Sequence, residues 1–252
     1  MKARILATPL LLLAGASFAT TLVAWAPASL LMALAPKSGV AYVRSEGTIW
    51  RGAVEGLVVE GAPLGRVSFR VHPFALFSGR LAAAIEIEGG AIEGEGEFAV
   101  GLGGAVTARA VAAEVDLSRF RRFGIMGATL SGAARIEADE LAFSVRGCRA
   151  AAGSVWTDVL RKPAQRFGGE AFDLEGPARC DGPDLAVSLA GQGSDGAATL
   201  DIRLKPGFEY AFKASVAPQR AGVEEALLYF GFERADGALG YETIGSLRRA
   251  SS

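Results

Sequence analysis

Histidine is nearly absent from this chain, and most catalytic designs that depend on it are excluded with it. His72 is the only histidine among 252 residues, so a multi-histidine metal site cannot form, and a Ser-His-Asp triad would have to use that one side chain. It lies in a strand-like pattern directly before Pro73, which favours a structural or surface role. The sequence also lacks a phosphate-binding G-x-x-x-x-G-K-[ST] loop. We therefore predict no catalytic residues, no metal and no cofactor, and a protein that is not an enzyme.

A basic excess is also missing. The 26 Lys and Arg residues nearly balance 27 Asp and Glu residues, which gives a net charge of −1 and a pI of about 6.0. This balance cannot neutralise a phosphate backbone, so we predict no nucleic-acid partner. Glycine, in contrast, is abundant with 33 residues. Together with scarce helical periodicity, that composition favours many short strands joined by tight turns.

Charge is missing altogether from one long run near the N-terminus. After Lys2 and Arg4, no charged residue occurs before Lys37. The 21 residues of the segment 5–25 would form a helix of roughly 31 Å at about 1.5 Å per residue, which matches the hydrocarbon core of a bilayer. The two N-terminal cations favour a cytoplasmic N-terminus. The run therefore predicts a single transmembrane helix with the rest of the chain on the far side.

This run has two interpretations. An uncleaved helix predicts a cytoplasmic stub and transmembrane anchor at residues 1–37, and a periplasmic β-rich domain at residues 38–252. A cleavable signal peptide is the alternative, because Ser17-Phe18-Ala19 resembles a cleavage site. We favour the anchor, since the apolar run continues well beyond that site. Both interpretations place the residues from about 38 onward outside the cytoplasm. In a Gram-negative bacterium the predicted location is therefore the bacterial inner membrane, with one pass and the C-terminal domain in the periplasm.

The remainder of the chain has the period of β-strands. Apolar and polar residues alternate in RVSFRVHPF (66–74), TLDIRLK (199–205) and YAFKASV (210–216), which indicates one buried and one wet face. Helical patterns are limited to the stretches around Arg119 and at 222–232. Turn signals recur at Ser78-Gly79, Gly89-Gly90, Gly103-Gly104 and Asp181-Gly182. We predict an all-β fold, mainly antiparallel, as an open or sandwich-like sheet with few short helices.

One hairpin can be predicted in detail. If Gly89 and Gly90 are the central residues of a primed turn, Ile87 pairs with Ile92. The opposite face of this hairpin then carries five carboxylates, namely Glu86, Glu88, Glu93, Glu95 and Glu97. A metal or acid-base site is one interpretation, but no His or Cys accompanies them. We predict a solvated, metal-free face on which Glu86 lies opposite Glu93.

Several segments, in order along nearly the whole chain, carry a family resemblance. They are the apolar run followed by APASLLMALAP, then GTIWRGAVEGL, LGRVSFRVHPFALFSGRL, GCRAAAGSVWTDVL, LEGPARCDGPDLAVSLAGQGSDGAATLDIRLKPGFEYAFKASVAP and EEALLYFGF. The chain resembles the type II secretion system protein N family (general secretion pathway protein N). GTIWRG matches that family's G-x-[VI]-W-x-G segment. Phe69, in place of a common tryptophan, and the polar tail GYETIGSLRRASS depart from the family.

The resemblance implies a function and a set of partners. Members of this family are one-pass inner-membrane proteins of the machine that exports folded proteins across the bacterial outer membrane. The resemblance therefore implies an assembly or accessory role rather than catalysis. It also implies that the partners are the membrane and the other inner-membrane components of the type II secretion system.

Lipid binding is the alternative function. Periplasmic proteins with an N-terminal anchor and a long open sheet, such as the AsmA-like and lipopolysaccharide-transport β-folds, cradle acyl chains, and PFALFSGRLAAAIEIEG would suit them. An apolar groove left uncovered along the sheet would favour lipid binding. A well-filled core would favour a protein-interaction module.

Two tryptophans are candidate structural anchors. Trp50 lies between Gly47 and Gly52, and we predict that it is buried at the start of the β-domain, where the glycines let strands approach or turn. Trp156, in GSVWTDVL, is predicted to be a packing residue rather than a ligand platform.

Cys148 and Cys180 are the only cysteines. Both fall in the predicted periplasmic part, where oxidation is favoured, and each lies at the end of a strand-like stretch. The family resemblance includes both positions. We predict a disulfide between them, the alternative being two free buried thiols that act as small apolar residues.

Overall fold

The structure is a computed structural model, and it describes most of the chain. The described residues are 21–22, 24–34, 39–59, 61–120, 124–125, 128–129, 131–166, 169–170, 172–235 and 237–246. The predicted anchor at residues 5–25 falls almost wholly outside these ranges. Within the described part of the chain, no helix is long and apolar enough to cross a membrane.

The described residues form mostly β-structure. The strands are β1 Val40–Ala41, β2 Arg44–Gly47, β3 Arg51–Val59, β4 Ala62–Val71, β5 Arg80–Glu88, β6 Ile92–Gly101, β7 Val106–Asp116, β8 Gly124–Ile125, β9 Ala128–Thr129, β10 Ala133–Ser144, β11 Gly147–Thr157, β12 Leu174–Asp181, β13 Asp184–Gly193, β14 Gly196–Leu204, β15 Glu209–Pro218, β16 Glu233–Ala235 and β17 Ala238–Ser246. The α-helices are α1 Ser29–Leu34, α2 Arg161–Arg166 and α3 Ala221–Tyr229, and the 3₁₀ turns are Pro73–Ser78, Leu117–Arg119 and Pro206–Phe208.

Fifteen of these strands form one antiparallel sheet. From β3 to β15 each strand pairs with the next one in the sheet, so the chain runs as a long meander, with β8 and β9 paired only with each other. At one edge β1 and β2 both pair with β3, and at the other edge β17 is followed by β16. The two edges do not pair with each other in the described part of the chain, so the sheet is open.

The all-β, mainly antiparallel prediction is confirmed, and of its two variants the open sheet is the one observed. The three alternating segments lie mostly in β4, β14 and β15, and the four Gly-containing turn signals fall at or between strand ends. The predicted helical stretch at 222–232 overlaps α3, whereas the described residues around Arg119 contain a 3₁₀ turn.

The predicted register of the β5–β6 hairpin is wrong by two residues. Ile87 pairs with Gly94 instead of Ile92, so the loop is longer than a two-residue turn. The reason lies in the neighbouring strands. The Ala91 N–H donates to the Pro63 carbonyl at 2.6 Å, and the Ala91 carbonyl accepts from Asp116 N–H at 2.8 Å. Ala91 is thus held between the ends of β4 and β7, and the loop widens around it.

Period two gives the sheet one apolar and one polar face. On the apolar face Phe69 pairs with Ile85, and Ala83 pairs with Phe98. On the polar face Glu86 pairs with both Ser68 and Glu95. The same alternation continues to β17, where Leu239 pairs with Val216 on the apolar face. The apolar face therefore extends across the whole sheet.

Burial is concentrated in the C-terminal half of the sheet, β11–β17. Leu174, Leu189 and Ala198 form a buried cluster against which Leu160 and Phe172, from the connection between β11 and β12, are packed. A second cluster contains Ala214, Phe232 and Leu239, and it is covered by side chains of α3 and the segment after it, Leu227, Leu228 and Phe230. Connections that fold back over the apolar face thus supply the core that a single sheet lacks.

Candidate functional site

The N-terminal half of the sheet, β3–β7, leaves most of its apolar face uncovered, although Val54 of β3, opposite Val67, is buried. The side chains in question, termed the open face, are Val67, Phe69, Ile85, Ile87, Phe98 and Val111. All six are only partly buried, and no Leu, Ile or Phe in the described part of β3–β7 is buried. At the end of this face Leu81 and Val100 are exposed and pair across β5 and β6. Contiguous exposed apolar surface of this kind marks a binding or membrane-facing region.

Glycines under the aromatic rings shape the open face. Gly52 pairs with Phe69, and a Cβ placed on Gly52 would approach the Phe69 ring to 3.0 Å. A Cβ on Gly96 would lie 3.1 Å from both the Phe98 ring and Val111. Each ring therefore packs against the bare backbone of a glycine and fills the space that a side chain would occupy there. Part of the open face is therefore packed against the sheet itself.

The polar face behind it carries ion pairs on the solvent side. Arg109 donates to Glu140 at 2.8 Å, and this hydrogen bond together with the Glu140 charge raises the pKa of the Arg109 guanidinium above its ordinary value. At the end of β7, the Ser118 hydroxyl donates to Asp116 at 2.5 Å and lowers the pKa of that carboxyl. These groups are exposed, so they add little to stability.

The five predicted carboxylates of the hairpin are all exposed on the polar face. Their pairing differs from the prediction because of the register shift. Glu86 lies opposite Glu95, and Glu93 lies opposite Glu114 of β7. Within the described residues, no group of three or more His, Cys, Asp or Glu side chains is arranged to hold a metal ion.

Trp50 lies in the turn between β2 and β3, where it is partly rather than fully buried. Its carbonyl accepts from the Val71 N–H at 2.7 Å, which ties this turn to the end of β4. Gly47 and Gly52 pair directly across the hairpin, and Gly47 has a φ of +87°. A Cβ on Gly47 would meet the Gly52 Cα at 2.8 Å, so the two strands approach closely because both residues lack side chains.

Trp156 lies on the polar face and not on the apolar one. It is partly buried and pairs with Arg135, whose guanidinium carbon lies 5.5 Å from the ring centroid. Arg135 also lies 3.6 Å from Glu114. Trp156 thus contacts a cation across two strands, a cation–π arrangement that the apolar context of GSVWTDVL did not indicate.

A disulfide joins Cys148 and Cys180, as predicted, with the Cα atoms 5.6 Å apart. The two residues lie at the same end of the adjacent strands β11 and β12. The Cys148 N–H donates to the Pro183 carbonyl at 2.7 Å, in the turn that follows β12. The bridge therefore closes the connection that contains Leu160 and Phe172, the same connection that covers the apolar face.

From the sequence, an uncovered apolar groove is expected only under the alternative, lipid-binding function. Alternation showed that one face was apolar, but it carries no signal for what covers that face. Connection lengths carry such a signal: the turns within the N-terminal half are short, whereas the β11–β12 connection spans residues 158–173 and the β15–β17 connection contains α3.

The comparisons with known proteins identify one family. The family model described as type II secretion system (T2SS), protein N, matches residues 38–241. No curated protein matches the chain, and no solved structure matches it.

Proposed function

The chain belongs to the type II secretion system protein N family, and from that membership we propose that it is a bitopic inner-membrane component with an assembly or accessory role in the export of folded proteins. In this proposal residues 5–25 form the anchor, and residues 38–252 form a β-domain in the periplasm. The domain acts by binding its partners, the other inner-membrane components of the machine, and not by catalysis. The observation that carries the proposal is the family match across residues 38–241.

Secretion by the native host tests this role. Deleting the gene should abolish or reduce the appearance of type II substrates outside the cell, and the wild-type chain should restore it. A matched variant with the anchor replaced by a cleavable signal peptide separates the role of the domain from that of the anchor. Unchanged secretion in the deletion strain would contradict an assembly or accessory role in export.

Topology is tested separately. A reporter that is active only after export, fused after residue 60, should be active because Lys2 and Arg4 hold the N-terminus in the cytoplasm. N-terminal sequencing of the purified chain should recover the intact start. A mature chain that begins at Thr20 would show that this segment is a cleaved signal peptide and not an anchor.

A lipid-binding role is the second candidate, and the open face favours it. A row of partly exposed apolar side chains across β4–β7 offers acyl chains a surface that water solvates poorly. Purification of the full chain followed by lipid extraction and mass spectrometry should recover phospholipid. Ile85→Glu should reduce the recovered amount, whereas Glu86→Gln on the polar face should not. Equal recovery from both variants would contradict binding on the open face.

A further inference from the structure

One end of the N-terminal half presents large apolar side chains to solvent. Phe74 and Phe77 are 83% and 90% exposed in the 3₁₀ turn Pro73–Ser78, and Leu102 is 94% exposed in the turn after β6. The group, termed the apolar tip, consists of Phe74, Leu76, Phe77, Leu81 and Leu102. Exposed aromatic and leucine side chains in one patch mark a protein or membrane contact.

The apolar tip is an ordered structure. Its two turns are joined, since the Leu102 N–H donates to the Gly79 carbonyl at 3.1 Å. Gly79 adopts the left-handed conformation, with a φ of 68°, that ends the 3₁₀ turn. The Ser78 hydroxyl donates to the Ala75 carbonyl at 2.8 Å. The exposed rings therefore project from a turn that is held by hydrogen bonds on both sides.

The charge around the apolar tip is mainly positive, and the Glu46 carboxylate, which lies opposite Ala53, is paired with Arg44. The three segments that build this end of the sheet, 47–54, 69–85 and 98–108, contain Arg51, Arg70 and Arg80 but no Asp or Glu. Arg51 lies directly opposite Arg70 in the β3–β4 pair, and both are exposed. Like charges directly opposite each other destabilise a strand pair, and an anion between them would relieve that cost. The surface thus combines apolar rings with uncompensated cations.

The apolar tip lies at the end of the sheet where the chain arrives from its N-terminal apolar run. The Ala28 N–H donates to the Gly47 carbonyl at 3.0 Å, and Ile49 N–H donates to the Ala26 carbonyl at 2.9 Å. These bonds attach residues 26–28 to the turn between β2 and β3. Trp50 of that turn accepts from Val71, two residues before the 3₁₀ turn begins. The attachment point and the apolar tip are therefore neighbours.

We propose that the apolar tip inserts into the interfacial region of the membrane that holds the anchor, with Arg51, Arg70 and Arg80 at anionic phospholipid headgroups. This inference rests on the anchored topology of the proposed function. Insertion gives the domain a second attachment beside the anchor. Insertion also brings the start of the open face to the membrane surface, because Leu81 and Val100 lie on the same face as Ile85.

Depth measurement on the full chain tests the inference. Cys148 and Cys180 are joined in a disulfide, so a Phe77→Cys thiol can be labelled selectively with NBD under non-reducing conditions. The labelled chain is reconstituted into vesicles of phosphatidylethanolamine and phosphatidylglycerol that carry bromine on the acyl chains near the headgroup. We expect blue-shifted NBD emission and strong quenching by the brominated lipid.

Glu88→Cys is the matched control at the other end of β5. It is exposed like Phe77, but the strand from Arg80 to Glu88 spans about 27 Å at about 3.3–3.4 Å per residue, which is beyond the interface. Its label should stay unquenched. Labels at positions 77 and 88 that behave alike would overturn the inference.

Flotation with the vesicles separates this inference from its premise. A chain that floats but whose Phe77→Cys label is unquenched contradicts the apolar tip alone. A chain that does not float contradicts the anchored topology, and the inference falls with it. Adding Arg51→Gln and Arg70→Gln should lower quenching in anionic vesicles but not in phosphatidylcholine vesicles. An equal effect in both would contradict the headgroup contact.

Discussion

The N-terminal half, β3–β7, and the C-terminal half, β11–β17, have the same strand pattern but opposite coverage. Each half alternates apolar and polar residues, and each pairs its strands antiparallel within the same sheet. In the C-terminal half Leu174, Leu189, Phe232 and Leu239 are buried by connections that fold back over the sheet. In the N-terminal half the connections are short, and the same kind of face stays open. Coverage of a single-layer sheet is therefore decided by its connections and not by its strands.

Removal of the disulfide should have the largest effect on the free energy of unfolding. The disulfide closes the β11–β12 connection, which covers the apolar face of the C-terminal half. Cys148 and Cys180 are separated by 32 positions, and a closed loop of that length contributes roughly 3–4 kcal/mol in the chain-entropy model. The double change Cys148→Ala and Cys180→Ala should lower the free energy of unfolding by about that amount, measured in urea. A reduced wild-type chain provides the control. An unchanged midpoint would show that the bridge does not stabilise the covered half.

A leucine from each half provides a matched pair. Leu189 is 3% exposed in the covered half, and Leu81 is 53% exposed in the open half, both on the apolar face. Leu189→Ala should destabilise by about 3 kcal/mol, since it leaves a cavity, whereas Leu81→Ala should cost less than about 1 kcal/mol. Urea midpoints of the two variants test the comparison. Equal losses would mean that the open half is packed as well as the covered one.

Trp50 tests how much the turn between β2 and β3 contributes to the stability of the N-terminal half. A fully buried tryptophan would cost about 3–5 kcal/mol on truncation to alanine, but partial burial reduces the expected loss to about 2–3 kcal/mol. Trp50→Ala should therefore shift the urea midpoint less than Leu189→Ala does. A negligible shift would leave contact with a partner as the better explanation of this residue.

The smallest effect is expected on the polar face. Glu86 lies opposite Glu95, so Glu86→Lys replaces a repulsive pair with an attractive one and should raise stability by a few tenths of a kcal/mol up to about 1 kcal/mol. Glu93→Lys is the comparison, because its partner Glu114 lies 3.6 Å from Arg135 and is already compensated. Stoichiometric divalent-metal binding that vanishes with either change would contradict a solvated face.

Much of this fold could be predicted from local pattern. The alternation around Phe69 and Phe212 located strands, the Gly-containing pairs located turns, and the two cysteines at strand ends predicted a disulfide that is present. The family of the chain could also be predicted from the order of several characteristic segments along the sequence. The strand and turn signals each lie within a short stretch of sequence, where local geometry dominates, whereas the disulfide and the family were predicted from the compartment and from the order of segments along the chain.

What could not be predicted depends on distant residues. The register of the β5–β6 hairpin is set by Pro63 and Asp116, which hold Ala91 from both sides, and not by the Gly89-Gly90 pair. Trp156 lies on the polar face, where the β10–β11 register places it opposite Arg135. The choice between an open and a sandwich-like sheet also depends on what packs above an apolar face. Period two is identical in both cases.

Thiol reactivity in native membranes tests the open and covered faces most directly. The full chain is prepared as Ile85→Cys and, separately, as Leu189→Cys, and each is treated with a maleimide under non-reducing conditions. Because Ile85 is partly exposed and Leu189 is only 3% exposed, the thiol at position 85 should react far faster than the thiol at position 189. Equally slow reaction at both positions would contradict the account, since it would mean that the apolar face of the N-terminal half is covered as well.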